Sequence, residues 1–347
     1  MKFRFSVGYQ YPDGDVLERF PEILSDYRFH VEELYFAPGN VPSGRSPAAD
    51  SSGLEEDEAF SILKEDLAEI SGMGIRLNML FNGNCLGGLC VSRELEKLLS
   101  STVEQFLGIV PLHGVTTSSP FIAKYLKKEF PFLEIRSSVN MKIGTVEALD
   151  YAKEYFDSFC LQRDHNYRLD SLRTMAQWAE KNGKKVTLLA NSGCLKNCFA
   201  QTFHDNLVSH LAEVQIHECR PDPKIIFCRD FYAKEENRRE YLAHSTLIRP
   251  EDLFHYEEIT PHIKLATRTH FNVRMVLDAY TRGRFRGNFF DLSEPCHGIF
   301  FRGKVLDNSR IGKEYFARKS TCSGNCRECR FCFDILKNAL IDCEELQ

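Results

Sequence analysis

The sequence contains no apolar run of about 18 residues, the length that a membrane-spanning helix needs. The apolar core of a secretory signal peptide is also missing ahead of the first predicted strand. The formal net charge of -5 creates no overall positive field that would attract nucleic acid, although a local basic groove is compatible with it. We therefore expect a cytoplasmic protein without a membrane span.

Several signatures of familiar enzyme classes are missing too. No Gly-x-Gly-x-x-Gly follows the first predicted strand, which argues against a dinucleotide-binding fold. The chain has neither the Gly-x-Ser-x-Gly elbow of serine hydrolases nor the His-Glu-x-x-His helix of zinc peptidases. Hydrolysis by either of these two catalytic motifs therefore has little support in the sequence.

Cysteine, by contrast, is abundant, and the end of the chain concentrates it. The chain has 13 cysteines, an odd count that argues against a closed set of disulfides, which are rare in a reducing compartment anyway. Four of them share one short polar segment with the spacing x₃, x₂ and x₂: Cys322, Cys326, Cys329 and Cys332. Thiolates this close can share one soft metal or one iron–sulfur cluster. We expect a 4Fe–4S cluster here, because the spacing is typical of ferredoxin-like runs, and Zn is the alternative.

The spacing of Cys322, Cys326 and Cys329 is also that of radical S-adenosylmethionine enzymes. In those enzymes the motif normally follows the first barrel strand, whereas here it follows the last predicted strand. A radical S-adenosylmethionine enzyme is therefore a minority alternative. A metal-bearing scaffold without catalytic activity is another.

A second set of cysteines lies upstream, and two of its members directly follow a predicted strand. Cys194 and Cys198 come after the apolar run 185–190, and Cys219 and Cys228 follow in the next stretch of chain. Functional groups in barrel proteins collect where strands end, so we expect these four cysteines to bind a 4Fe–4S cluster at the barrel rim. Cys85, which also follows a predicted strand, is the substitute if Cys228 is only a buried core residue.

The pattern of short apolar runs alternating with helical segments predicts the fold. The runs are rich in apolar or β-branched residues, as expected for strands buried on both faces of a parallel sheet. They cover residues 3–8, 31–36, 75–81, 108–116, 133–139, 156–162, 185–190 and 262–267. Eight such units predict an α/β fold, a TIM-like (β/α)₈ barrel, with a doubly wound open sheet as the competitor.

The strand–helix alternation stops near residue 292. We therefore predict a barrel over residues 1–292 and a cysteine-rich, metal-binding extension over residues 293–347, which begins with a β-like stretch at 298–305.

Three segments of the barrel region resemble a known family. They are Leu-Leu-Ala-Asn-Ser-Gly-Cys-Leu-Lys-Asn-Cys at 188–198, Ile-Arg-Pro-Glu-Asp-Leu at 248–253 and Ile-Lys-Leu-Ala-Thr-Arg-Thr at 263–269. Together they resemble the collagenase-like peptidase family, peptidase family U32, over roughly residues 30–292. Two features depart from the family pattern: the Cys194–Cys198 spacing is shorter, and Ala266-Thr267 stands where the family has Glu-Gly.

The resemblance implies a TIM-like barrel that holds a four-iron cluster on cysteines. Some family members act in oxygen-independent hydroxylation of the ubiquinone ring or of RNA bases, and others carry a protease label. A hetero-partner of the same family and an electron donor protein are further expectations. The substrate itself does not carry over, because the chain diverges from the family at its motifs.

Polar side chains at predicted strand ends are the catalytic candidates. Arg163 and Arg268 each follow a strand and can orient a planar substrate or stabilise charge; a salt-bridged rim is the alternative. Asn191, beside the first cysteine pair, is a candidate hydrogen-bond donor to a cluster sulfur or a substrate, with a turn residue as the alternative. His204, which follows the pair, is a candidate proton donor, with a helix-surface histidine as the alternative. We expect an iron–sulfur oxidoreductase or hydroxylase acting on a small aromatic or nucleobase substrate, with a collagenase-like peptidase as the alternative.

Overall fold

Eight parallel strands close into a barrel in the computed structural model, which describes residues 3–12, 18–44, 54–210, 226–326 and 328–345. The strands are β1 Arg4–Gly8, β2 Val31–Phe36, β3 Arg76–Phe81, β4 Gly114–Thr117, β5 Glu134–Ser137, β6 Ser158–Cys160, β7 Lys185–Leu189 and β8 His262–Lys264. Neighbours in sequence pair in order, and β1 pairs with β8, where Phe5 lies opposite Ile263. The predicted TIM-like barrel is confirmed, and the open sheet is excluded because the first and last strands bond to each other.

Every predicted strand forms, with one clear change of boundary. The fourth was expected from residue 108, but β4 begins only at Gly114. The Gly108 N–H donates to Glu104 O and the Val110 N–H to Phe106 O, so these residues end the preceding helix instead of extending the strand.

Helices surround the barrel. The described helices are α1 Phe20–Tyr27, α2 Glu56–Gly72, α3 Arg93–Leu107, α4 Pro120–Glu129, α5 Val146–Ala152, α6 Leu169–Lys181, α7 Gln201–Ser209, α8 Phe227–Ala233, α9 Glu235–Arg238, α10 Tyr241–His244, α11 Val273–Arg282, α12 Lys313–Ser320 and α13 Phe331–Ala339. The longer ones, such as α3 and α11, bury an apolar stripe. In α3 the Ser92 side chain accepts from the Leu95 N–H, and Leu95, Leu99 and Val103 recur every four residues on the buried face. None of the described helices is long and apolar enough to cross a membrane.

The amino-terminal half of the barrel interior is polar. Arg136 on β5 donates to both carboxylate oxygens of Glu33 on β2, at 2.6 and 3.0 Å, and to Glu134 at 2.9 Å. Ser6 and Ser158 donate to the same two carboxylates at 2.7 Å each. This network closes one end of the barrel and leaves the carboxyl end for an open cavity.

The extension is not the β-like module that was predicted at its start. Residues Gly298–Phe301 form a 3₁₀ turn, and only Lys304–Leu306 form a strand, β9, which pairs antiparallel with β10, Leu340–Asp342. The prediction of a strand from residue 298 is therefore wrong for the first half of the stretch. Aromatic packing explains the turn, because it places Phe301 against Phe290 and Tyr241.

Buried polar contacts join the extension to the barrel. Lys319 of α12 donates from Nζ to the carbonyls of Leu242 and Ser245. Arg249, itself paired with Asp252, donates to the carbonyl of Ile311. The extension thus completes the core around the loops that follow β7. The proposed division at residues 292 and 293 stays a prediction.

Candidate active site at the carboxyl end of the barrel

A cavity of about 570 Å³ opens at the carboxyl ends of the barrel strands. This is the end at which TIM-like barrels carry their active sites. Its walls combine apolar side chains with two chemically distinctive groups. The first group is the thiols of Cys194, Cys198, Cys228 and Cys296, and the second is the basic side chains Arg163, Arg229, Lys264 and Arg268.

The first residues of the extension hold the loop that carries Cys194 and Cys198. The Gly193 N–H donates to Glu294 O at 2.9 Å, and the Gly193 carbonyl lies 3.0 Å from the His297 ring. A Cβ at Gly193 would lie 2.0 Å from the Pro295 carbonyl, so only glycine permits this approach. Farther along, the Asn197 N–H donates to Asp164 at 3.0 Å. The loop is therefore anchored on both sides of Cys194.

Three of the four predicted rim ligands meet at this cavity. Cys194 and Cys198 come from the loop after β7, and Cys228 comes from α8. Burial, followed by the charges of Cys194 and Cys198, raises the pKa of Cys228 to about 12. Burial also raises the pKa of Cys198, with Cys194 adding to the effect. These thiols are thus close enough to sense one another, and a soft metal would have to displace their protons.

Two cysteines, Cys219 and Cys296, are candidates for the fourth rim ligand. Cys219 lies outside the described residues, so its part in the site stays a prediction. Cys296 lines the cavity and was missed in the sequence, where only its position at the end of the strand–helix alternation marked it. Cys85, the earlier substitute, is not among the described lining residues. Cys296 is the better alternative on position.

Arg163, His204 and Arg268 line the cavity, as predicted for catalytic residues. Arg163 follows β6 and is only 6% exposed, and its Nε has no hydrogen-bond partner within the described chain. Arg268 follows β8 and donates to Ser43 at 3.2 Å. Gly8 makes room for it, because a Cβ there would lie 2.5 Å from Arg268 Cγ. Their catalytic roles stay predictions.

Asn191 does not line the cavity, although it precedes the cysteine loop. Its side chain is fully buried, donates to the carbonyls of Ala266 and Leu292 at 2.9 and 3.1 Å, and accepts from the Ala266 N–H at 2.6 Å. These contacts join the segments that follow β7 and β8 to Leu292, just before the extension. The geometry therefore gives Asn191 a supporting role instead of contact with a substrate.

Replacing Asn191 by alanine is expected to lower the free energy of unfolding by about 1–3 kcal/mol, because buried backbone groups lose their partners. Urea unfolding followed by circular dichroism measures the loss. Asn182→Ala is the control, since that exposed amide bonds only within its own helix end. Unchanged stability in Asn191→Ala together with lost turnover would instead support the catalytic role.

Lys264 is a cavity residue that the strand pattern did not single out. It is the last residue of β8, and its Nζ lies 3.8 Å from the centroid of the Tyr35 ring. Burial lowers the pKa of Lys264 to about 8. Alternation along the strand predicts inward-facing positions, but not that a lysine would occupy one at the cavity floor.

The tail cysteines form a separate group between α12 and the first turn of α13. Burial raises the pKa of Cys332, and the charges of Cys322, Cys326 and Cys329 add to this, so all four thiols lie within electrostatic reach. None of them lines the barrel cavity. Their predicted 4Fe–4S cluster or Zn stays a prediction.

Across the described ranges, no three His, Cys, Asp or Glu side chains are placed to hold one metal ion. In a 4Fe–4S cluster the four cysteines bind the cluster together, so their sulfurs do not have to converge on one ion.

The fold and cavity define a TIM-like barrel protein with a cysteine-lined pocket at its carboxyl end. No family model matches the sequence. The sequence is 26% identical over 277 residues to "Uncharacterized protease MJ1657" from Methanocaldococcus jannaschii, and the match covers 77% of each chain. The structure is similar to that of the U32 peptidase Mk0906, with a TM-score of 0.53 and 13% identity, over 77% of this chain and 93% of the other.

At 13% identity the structural likeness shows the barrel fold alone. Membership of peptidase family U32 therefore stays a prediction at this point.

Proposed function

We propose that the chain is a member of peptidase family U32 and an enzyme whose active site is the cysteine-lined cavity. In this proposal Cys194, Cys198 and Cys228 bind a 4Fe–4S cluster, with Cys219 or Cys296 as the fourth ligand. The observation that supports it most is that thiols from separate chain segments line one pocket at the catalytic end of a barrel. The substrate is a small aromatic or nucleobase compound, modified by oxygen-independent hydroxylation or related redox chemistry.

A cluster held there would supply one-electron chemistry at the cavity wall. The chain's own residues bind and orient the substrate. The apolar side chains of Leu80, Leu189 and Phe300 offer a ring a surface that excludes water, while Arg163 and Arg268 supply directional donors. The tail cysteines would hold a second 4Fe–4S cluster or Zn, and a cluster at that place could relay electrons from a donor protein.

A peptidase is the second candidate, and the names of both similar proteins favour it. A cysteine nucleophile needs a lowered pKa, usually from a nearby cation. Burial instead raises the pKa of Cys198, Cys228 and Cys296. A thiol peptidase at this cavity therefore lacks an activated nucleophile among these three residues.

Purification without oxygen, followed by iron, sulfide and zinc analysis, separates the two proposals. We expect iron and sulfide in equal amounts and a broad visible absorbance that fades in air. Peptide cleavage is then measured on the protein before and after gentle iron removal. An iron-free preparation that cleaves peptides at full rate, with its fold intact by circular dichroism, would contradict the redox proposal and favour the peptidase.

A further inference from the structure

The floor of the cavity carries positive charge that no carboxylate neutralises directly. Lys264 points from β8 into the barrel, and its ammonium has no ion pair within the described chain. Its Nζ contacts the face of the Tyr35 ring, which is a weak partner for a cation. The Lys264 side chain is half-buried, so an ammonium there without a carboxylate partner is available to an anion in the cavity.

Arg163 lines the same cavity as Lys264. Its side chain is 94% buried, makes no ion pair within the described chain and leaves its Nε without a hydrogen-bond partner. The charges of Lys264 and Arg163 both act on the thiol of Cys160, at the end of β6. The two cations therefore line one cavity and act on the same buried thiol.

The acidic groups nearby do not cancel this charge. Four basic side chains line the cavity against two acidic ones, Asp205 and Glu294. Glu294 accepts from the Thr269 N–H at 3.1 Å. Beneath the floor, Glu33 is held by both nitrogens of Arg136. The cavity lining therefore carries a formal excess of positive charge.

We propose that Lys264 and Arg163 form an anion-binding site for the acid group, a carboxylate or a phosphate, of a small substrate. The apolar body of that substrate would lie against Val139, Leu189 and Ala266, which pack together above the floor. This proposal rests on the proposed function in one respect: the anion-binding site lies in the cavity that is proposed as the active site. Because it is tested by ligand binding, it can fail or succeed independently of iron content.

The charge of Lys264 makes this binding dependent on pH. Burial lowers the pKa of Lys264 to about 8, and the charges of Arg136 and Arg268 lower it further. The charges of Cys160 and Glu33 raise it but do not outweigh burial. Below that pH the side chain is an ammonium that attracts an anion, and above it the side chain is a neutral amine. Affinity for an anion should therefore fall as the pH rises through about 8, while Arg163 stays charged.

Isothermal titration calorimetry on the full chain tests the site with three probes of similar shape. Benzoate and phenyl phosphate carry the acid group, and benzamide is neutral. We expect one of the anions to bind at least about tenfold more tightly than benzamide, because a charge-assisted contact is lost in the amide. The preferred anion then distinguishes a carboxylate from a phosphate ligand. Equal binding of all three probes would overturn the proposal.

Two variants locate the site. Lys264→Met and Arg163→Met should each weaken binding of the preferred anion about tenfold or more and leave benzamide unchanged. Lys153→Met is the matched control, since that surface lysine pairs with Asp150 at 3.1 Å, and it should bind as the parent does. Retention of full anion affinity in both cavity variants would overturn the assignment.

The unmodified chain provides a test that does not depend on how the variants fold. Neither benzoate nor phenyl phosphate titrates between pH 7 and 9.5, so a change in affinity over this range reports on the protein. We expect about a tenfold loss from the lower to the higher pH. A flat profile would contradict the role of Lys264.

Discussion

Replacing Cys194 by serine is expected to abolish the iron bound at the barrel cavity and its visible absorbance. If the tail cysteines also hold iron, about half of the total should be lost. The reason is that the serine hydroxyl is a poor substitute for a thiolate, and that Cys194 shares the cavity with Cys198 and Cys228. Iron and sulfide analysis after purification without oxygen measures the effect. Full iron retention would show that Cys194 is not an iron ligand and would contradict the proposed cluster site.

Two further cysteine variants make the result specific. Cys90→Ser changes an exposed thiol that does not line the cavity, and it should keep all of the iron. Cys322→Ser should empty the tail site alone and leave the cavity absorbance in place, since the tail thiols lie outside the cavity. Loss of both signals in either single-site variant would show that the two groups serve one shared centre.

Replacing Arg136 by methionine is expected to destabilise the fold more than any other change considered, by about 3–5 kcal/mol. Arg136 is the common partner of Glu33 and Glu134, at distances of 2.6 to 3.0 Å. Without it, Glu33 stays in the barrel interior with the Ser6 hydroxyl and the Asn78 amide as its described partners. Glu134 keeps Ser158, Lys185 and Arg76. Urea unfolding at pH 7 measures the loss. Arg173→Met is the control, because its partner Asp170 is fully exposed, and it should cost less than about 1 kcal/mol.

The pH dependence of the same variant should have the opposite sign from that of the parent. Burial alone raises the pKa of Glu134, but the charge of Arg136 and the bonds to it and to Ser158 outweigh burial and hold the pKa below its ordinary value. In the parent this stabilisation is therefore present above the ordinary pKa of about 4.3 and is lost as the pH falls through the lowered value. In Arg136→Met the carboxylate of Glu33, left without its cationic partner, gains by taking up a proton. The stability gap between the two proteins should narrow on acidification from pH 7, and a constant gap would argue against buried charge as its cause.

The strands were predictable because most of them fall in short apolar or β-branched runs, the pattern of strands buried on both faces. The cysteines of the rim were predictable for a related reason: a polar or reactive residue directly after such a run lies at the carboxyl end of the sheet. Strand boundaries were less predictable where a helix end and a strand start share apolar residues, as between residues 108 and 114.

The site residues that were missed depend on contacts between distant segments. Cys296 reaches the cavity because residues 191–193 bind Glu294 through backbone groups, which no local pattern records. Asn191 resembled a turn or active-site amide in the sequence, yet its partners lie 75 and 101 residues away. Lys264 sits in an ordinary strand pattern, and its lowered pKa follows from what the other strands place around it.

The order of strands and helices, the two cysteine groups and the barrel class were determined by the sequence itself, since they depend on local periodicity and spacing. Closure through β1 and β8, the charged network around Arg136 and the positive floor of the cavity were decided only by the tertiary structure. The physical reason is that closure, ion pairing and desolvation depend on distances between residues far apart in the chain. Those distances exist only once the eight strands have met.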